Sequence, residues 1–378
     1  MTNKWTDEFL DPMREMTDLL ADEVVAIVIQ SGGLEAFDQM IRHLVNNRDV
    51  IPDSLPQIVR DFFEQTKILP DWADQEKIDQ GEQVFELYGP EMIMMLFFVS
   101  LPYAYATKKG SHVLAITSEL TKHVHRRIFR TAQFIMDVMQ DRGLGPNGRG
   151  IRSAQKVRLL HASIRYYIAH QPKWKSEWDP AWGLPINQED LAGTLMDFSV
   201  GVMKGLKRSK IRLSPKQAEA YLHCWKVVGS IMGICPELMP ENVEDADDLA
   251  NTIIARQLGE SDSGKKLIKD LIHFMQGFMP RLFRGFPATA TRYLSGDHIA
   301  HVIEVGPSDW TLVFLKLQIF LFDMAEKLKY RFPGLQKYIR FLTWSLIDRA
   351  VIYEEGNQGT YFQIPDHLRK HWRLSKRQ

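Results

Sequence analysis

His161 and Arg165 stand one helical turn apart in KVRLLHASIRYYIA (Lys156 to Ala169), a segment whose other residues are largely apolar. Upstream, in RRIFRTAQFIMDVM (Arg126 to Met139), Arg127, Arg130 and Thr131 fall at i, i+3 and i+4, so a helix would gather them on one face. A glycine-rich turn, DRGLGPNGRG (Asp141 to Gly150), joins the two segments. Imidazole, guanidinium and hydroxyl groups placed against apolar surroundings cost free energy unless something pairs with them.

A haem would satisfy this whole set. Its iron takes a nitrogen donor, its propionates take arginine, and its ring takes walls of Leu, Ile and Phe. Taken singly, each group also has a plainer use. His161 could be an ordinary core or boundary histidine, Arg127 and Arg165 could point to solvent, and Thr131 could bond back to its own helix. No HExxH pattern competes, and His123 and His125, two residues apart, fall on different helix faces.

The elements that must position these groups are helices. Apolar residues recur at spacings of three and four almost everywhere, and strict alternation over the length of a strand is scarce. Ser54 and Pro56 precede one helical pattern, Ser214 and Pro215 open another, and Gly110, Gly233 and Gly277 sit near helix ends. Asn187 reads as an N-cap, with Glu189 and Asp190 in the first turn and a core stripe of Leu191, Leu195, Phe198 and Val202 behind it. The expected fold class is all-α, a single large helical domain. The loop Gly259 to Lys266 and the stretch Arg284 to Asp297 are its best candidate breaks.

Composition narrows the function classes. With 378 residues, 45% of them hydrophobic, the chain can bury a sizeable core. Its 47 basic residues balance 47 acidic ones, which argues against a nucleic-acid footprint. Two cysteines, Cys224 and Cys235, without a CxxC pattern, argue against a disulfide framework or a thiolate zinc site. GLGPNG (Gly143 to Gly148) matches a dinucleotide fingerprint in letters only. The preceding segment is helical, and the position where a ribose-binding acid would stand is Ile168. The acidic N-terminus lacks the features of an export signal. Met92 to Ala106 is broken by Pro102, and Trp310 to Ala325 carries Lys316 and Asp323. Both fall short of the roughly 20 uninterrupted apolar residues a spanning helix needs. They read as buried helices, and the expectation is a cytoplasmic protein with no membrane span.

These stretches, together with WGLPINQEDLAGTLMDFS (Trp182 to Ser199), YLHCWKVVGSIMGICPELMP (Tyr221 to Pro240) and RYLSGDHIA (Arg292 to Ala300), run in the order of a known family. From about Ser100 to Gly306 the chain resembles the haem-containing oxygenases of the latex clearing protein (rubber oxygenase) and MpaB type. The resemblance implies a globin-like core that binds one haem b. His161 would be the proximal iron ligand and Arg165 a propionate partner. Arg127 and Thr131 would be the polar pair that serves cofactor retention or activity. It also implies an oxygenase that uses O2 on an apolar, unsaturated, isoprenoid-like substrate, with room for an electron donor and an undetermined oligomeric state. The alternative is a non-catalytic haem or lipid-binding helical protein. On this reading residues 1–70 are an N-terminal helical extension packed on the core. Residues 71–306 form the haem-binding domain, and residues 307–378 supply its last helices and a basic tail.

The chain departs from the family pattern at two places. Arg130 stands where rubber-cleaving members carry a lysine, and an arginine, always protonated, cannot easily ligate iron. The implied iron is therefore five-coordinate or water-bound, and Arg130 would lie near it without bonding to it. Rubber-cleaving members also use a glutamate upstream of the Arg/Thr helix. Here Glu119 lies eight residues before Arg127, nearer than the family spacing, and Ser111 and His112 lie closer to the expected distance.

Overall fold

The protein is described here by a computed structural model covering residues 4–31, 42, 44–121 and 124–328, with side chains at 117–126 and 325–328 left out. In chain order the α-helices are α1 (Asp7–Met13), α2 (Leu19–Ser31), α3 (Gln57–Thr66), α4 (Gln75–Met95), α5 (Leu101–Ala106) and α6 (Lys108–Thr121). They continue as α7 (Val124–Met139), α8 (Gly150–His170), α9 (Pro172–Glu177), α10 (Gln188–Met196), α11 (Val202–Arg208) and α12 (Pro215–Ile231). The last are α13 (Val243–Gln257), α14 (Asp262–Gln276), α15 (Phe286–Ser295), α16 (Asp297–Val302) and α17 (Thr311–Leu328). Among the described residues no strand forms. The one extended pairing is an isolated bridge between Thr107 and Leu258.

The helices group into two compact units, each assembled from separated stretches of chain. The first comprises Met1–Gln83, Phe134–Met196 and Glu219–Ile253; the second comprises Val84–Gln133, Asp197–Ala218 and Ile254–Gln378.

In the first unit α2 lies along α8, and α3 packs on α2. Ala21, Val24, Val25 and Val28 repeat at three and four residues, so one stripe of α2 is apolar and meets Val59, Phe62, Phe63, Leu159 and Ala162. Two buried polar anchors hold this layer in register. The Arg158 guanidinium donates to both Asp18 carboxylate oxygens, at 2.5 and 2.7 Å, and to the Ile231 carbonyl at 2.9 Å. Arg152 donates to the Asn47 and Asp49 carbonyls and to Gln155.

The second unit packs α14 against α5 and α6, and α15 against α17 and against a π-helical turn, Leu96–Ser100. That turn joins α4 to α5 without ending the helix, so Pro102 does not break it as its sequence suggests. Pro102 sits at the start of α5, where a missing N–H is tolerated. Gln75–Ala106 is consequently the one described helix long and apolar enough to span a membrane, and 72% of its most apolar stretch is buried inside protein. A second π-helical turn, Asp197–Gly201, connects α10 to α11. The stretch Arg284 to Asp297, expected as a break, contains the whole of α15. α17 is only half covered: Leu315, Ile319 and Phe322 are buried, while Val313 and Phe320 are exposed.

Candidate functional site

α8 carries His161. One face of the helix is packed: Arg158, Leu159, Ala162 and Arg165 are buried. The other keeps accessible surface at Val157, Leu160, His161 and Ile164, which fall at i, i+3, i+4 and i+7. His161 is thus the one polar group on an uncovered apolar stripe. Burial pushes its pKa from the ordinary 6.5 down to about 3, and the nearby Arg165 cation adds to the drop. Neither ring nitrogen has a hydrogen-bond partner among the described residues, and Nδ1 is fully buried.

The helix starts where it does because the turn before it is locked. The Gly150 amide donates to the Gly143 carbonyl at 2.8 Å, and the Asn47 side chain donates to the carbonyls of Gly143 and Gly145. A Cβ on Gly148 would come within 2.2 Å of the Arg142 and Gly143 carbonyl oxygens, so this close approach requires glycine. The turn is a helix-to-helix connection, as the failed dinucleotide match implied. Glu82 accepts from the Arg142 amide at 2.7 Å, and burial raises its carboxyl from the ordinary 4.5 to about 7.

Arg165 points into the packed side of α8. Its Nε donates to Asp22 at 2.7 Å and Nη1 donates to the Ile186 carbonyl at 3.2 Å, while Nη2 is buried without a partner. The Asp22 pairing was not visible in the sequence, because the two residues are 143 positions apart.

α7 holds the arginine and threonine groups, in the second unit. Arg127 donates through Nη1 to the Leu114 carbonyl at 2.8 Å and through Nη2 to the Tyr105 hydroxyl at 3.1 Å. Tyr105 is fully buried, and its phenol pKa is raised by burial against the pull of Arg127. Thr131 donates to the Arg127 carbonyl at 3.1 Å, the within-helix bond open to any helical threonine. Arg130 lies on the exposed face of α7. Of the upstream residues, Ser111 meets the Ser261 hydroxyl at 2.9 Å and His112 meets Ser263 at 3.4 Å, both tying α6 to the start of α14. The Glu119 side chain lies outside the described residues.

The donor set on α8 can be tested against a haem. A haem brings four ring nitrogens and needs one neutral imidazole, an apolar bed and a cationic partner for its carboxylates. His161 is held neutral with its nitrogens unused, Val157, Leu160 and Ile164 flank it, and Arg165 one turn on supplies a cation already paired with Asp22. These residues fit the group.

The described residues build an all-α fold, and the relatives of the chain are oxygenases. The chain belongs to the family described as ER-bound oxygenase mpaB/B'/Rubber oxygenase, catalytic domain, which it matches over residues 88–318. It is 26% identical over 292 residues to the rubber oxygenase of Streptomyces sp. (strain K30), covering 76% of this chain and 70% of that protein. Its fold is that of the structure of latex clearing protein LCP in the closed state. The TM-score is 0.74 at 24% identity, over 96% of this chain and 91% of the other.

Proposed function

We propose that the protein is a haem b oxygenase that adds O2 to an apolar, unsaturated, isoprenoid-like substrate. The observation that carries this reading is His161, a neutral imidazole with unused nitrogens on the uncovered apolar face of α8. His161 would hold the iron, Val157, Leu160 and Ile164 would supply apolar walls, and the family resemblance assigns Arg165 to a propionate. When bound, the haem supplies iron that takes up O2 and passes electrons to it. The Arg165–Asp22 pair fixes the end of α8 nearest His161, so the ligand's backbone position is set before cofactor binds. Arg127 and Thr131 are assigned to cofactor retention or activity, as the family resemblance implies. The rubber oxygenase match and the family description favour an isoprenoid substrate over other apolar molecules.

The test is O2 uptake by the haem-loaded protein with polyisoprene latex and with short isoprenoid alkenes. The reading expects uptake coupled to new carbonyl groups in the polymer or alkene. A haem-loaded protein that consumes no O2 with any of them would instead be a haem carrier.

A further inference from the structure

α17 has two apolar faces, and its own unit uses only one of them. Thr311, Leu315, Ile319 and Phe322 are buried on the inner side, where the helix packs against α15. Trp310, Val313, Leu317, Phe320 and Met324 fall on the opposite side of the same helix. The first four of these keep half of their surface or more, and Val313 keeps 72%. Single exposed hydrophobic side chains need no partner, but a continuous strip of several hundred Å² marks a docking surface. One end of the strip is already set in place: the Trp310 ring lies 5.3 Å from Phe283, which packs in turn on Phe314 at 5.1 Å.

The spacing tells what kind of partner fits. Steps of three, four, three and four residues are the a and d positions of a heptad, whose side chains interlock with those of another helix. A strip lying in a lipid surface has no use for that alternation and carries cations along its polar flank. Here the flank carries one cation and one acid, Lys316 and Asp323, at the same heptad position one repeat apart. These charges select the partner and its direction. Beside a parallel copy of α17, Lys316 would face the partner's Leu321. Beside an antiparallel copy, with Leu317 set against the partner's Phe320, Lys316 lies opposite the partner's Asp323. A two-fold axis then makes the same pair a second time.

We propose that a second copy of this chain covers α17, the two helices packing antiparallel along the Trp310–Met324 strip. Such a contact is self-complementary and closes at two copies. The two strips together bury on the order of 1,000 Å², the lower range of a specific interface, so the dimer is reversible and depends on concentration. The proposal stands independently of the cofactor.

Sedimentation of the full chain over a wide range of concentration tests it. Wild type should pass from monomer to dimer as concentration rises. Leu317→Glu puts a charge in the middle of the strip and should weaken the dimer by about tenfold or more, while the thermal midpoint of the dilute monomer holds. Lys316→Glu should weaken it by about tenfold, because two attractive pairs become repulsive, and adding Asp323→Lys should restore most of the loss. A wild type that stays monomeric at every concentration overturns the proposal. So does a dimer indifferent to Leu317→Glu, or a Lys316→Glu defect that Asp323→Lys does not repair. A monomer whose thermal midpoint drops with Leu317→Glu means that the chain's own residues cover the strip, and a monomer that floats with phosphatidylcholine vesicles means that a bilayer does; either result overturns it. If Leu317→Glu does not fold, Phe320→Ser, at another exposed position of the strip, takes its place with the same expectations.

Discussion

Only the neutral form of histidine can bind a metal, and the position of His161 enforces that form. The unfolded chain protonates this residue near the ordinary 6.5, the folded chain only near 3. Between those values the unfolded state binds more protons, so His161 stabilises the fold above about pH 6.5 and that contribution is lost as pH falls toward 3. His161→Gln should therefore flatten the fall of the thermal midpoint between pH 6.5 and pH 4, measured without cofactor; an unchanged slope would show that the ring is already solvated. Arg130 sets a second expectation. It has no lone pair to offer iron and lies on the exposed face of α7. Haem held by His161 should then be high-spin in the ferric state and bind imidazole without first displacing a side chain. A low-spin resting spectrum with a nitrogenous sixth ligand would contradict this.

α8 is the element on which the account turns, because it serves the core with one face and leaves the other uncovered. Its packed face depends on the Arg158–Asp18 pair. Asp18→Ala leaves a guanidinium buried without its anion and should destabilise the protein by about 3–5 kcal/mol in urea unfolding. The turn that starts α8 responds to pH in the opposite sense to His161. Glu82 has its folded pKa raised to about 7 from 4.5, so its contribution is complete below about pH 4.5 and is lost as pH rises through 7. Glu82→Gln, neutral at every pH and still able to accept from the Arg142 amide, should melt higher than wild type at pH 8 and close to it at pH 5. Much of this element was legible in the sequence. Apolar spacing marked both helices, glycines marked the connection, and Asn187 caps α10 by accepting from the Asp190 amide at 3.0 Å. Pairings across long stretches of chain were not legible: Arg165 with Asp22, Arg14 with Glu189 and Asp190, and Arg127 with Tyr105. Helical periodicity records which face is buried and carries no information on which distant residue meets it. Pro102 misled for a related reason, since a proline letter does not reveal that a π-turn lies just before it.

At the scale of the whole molecule, family membership and fold agree: an all-helical oxygenase whose catalytic-domain match covers residues 88–318. Membership was legible because six stretches in family order include both α7 and α8. The half-exposed face of α17 was not, since a run of apolar residues reads as core whether or not another element covers it. Membership alone does not say which cofactor this chain holds, and the central claim is that His161 holds a haem. The most direct test is the absorption spectrum of freshly purified wild type beside that of His161→Ala and His170→Ala. The account predicts a Soret band in wild type, its loss or displacement in His161→Ala, and no change in His170→Ala, whose ring stacks on Tyr166 at the exposed end of α8. A His161→Ala protein that keeps its full haem with an unaltered spectrum would contradict it.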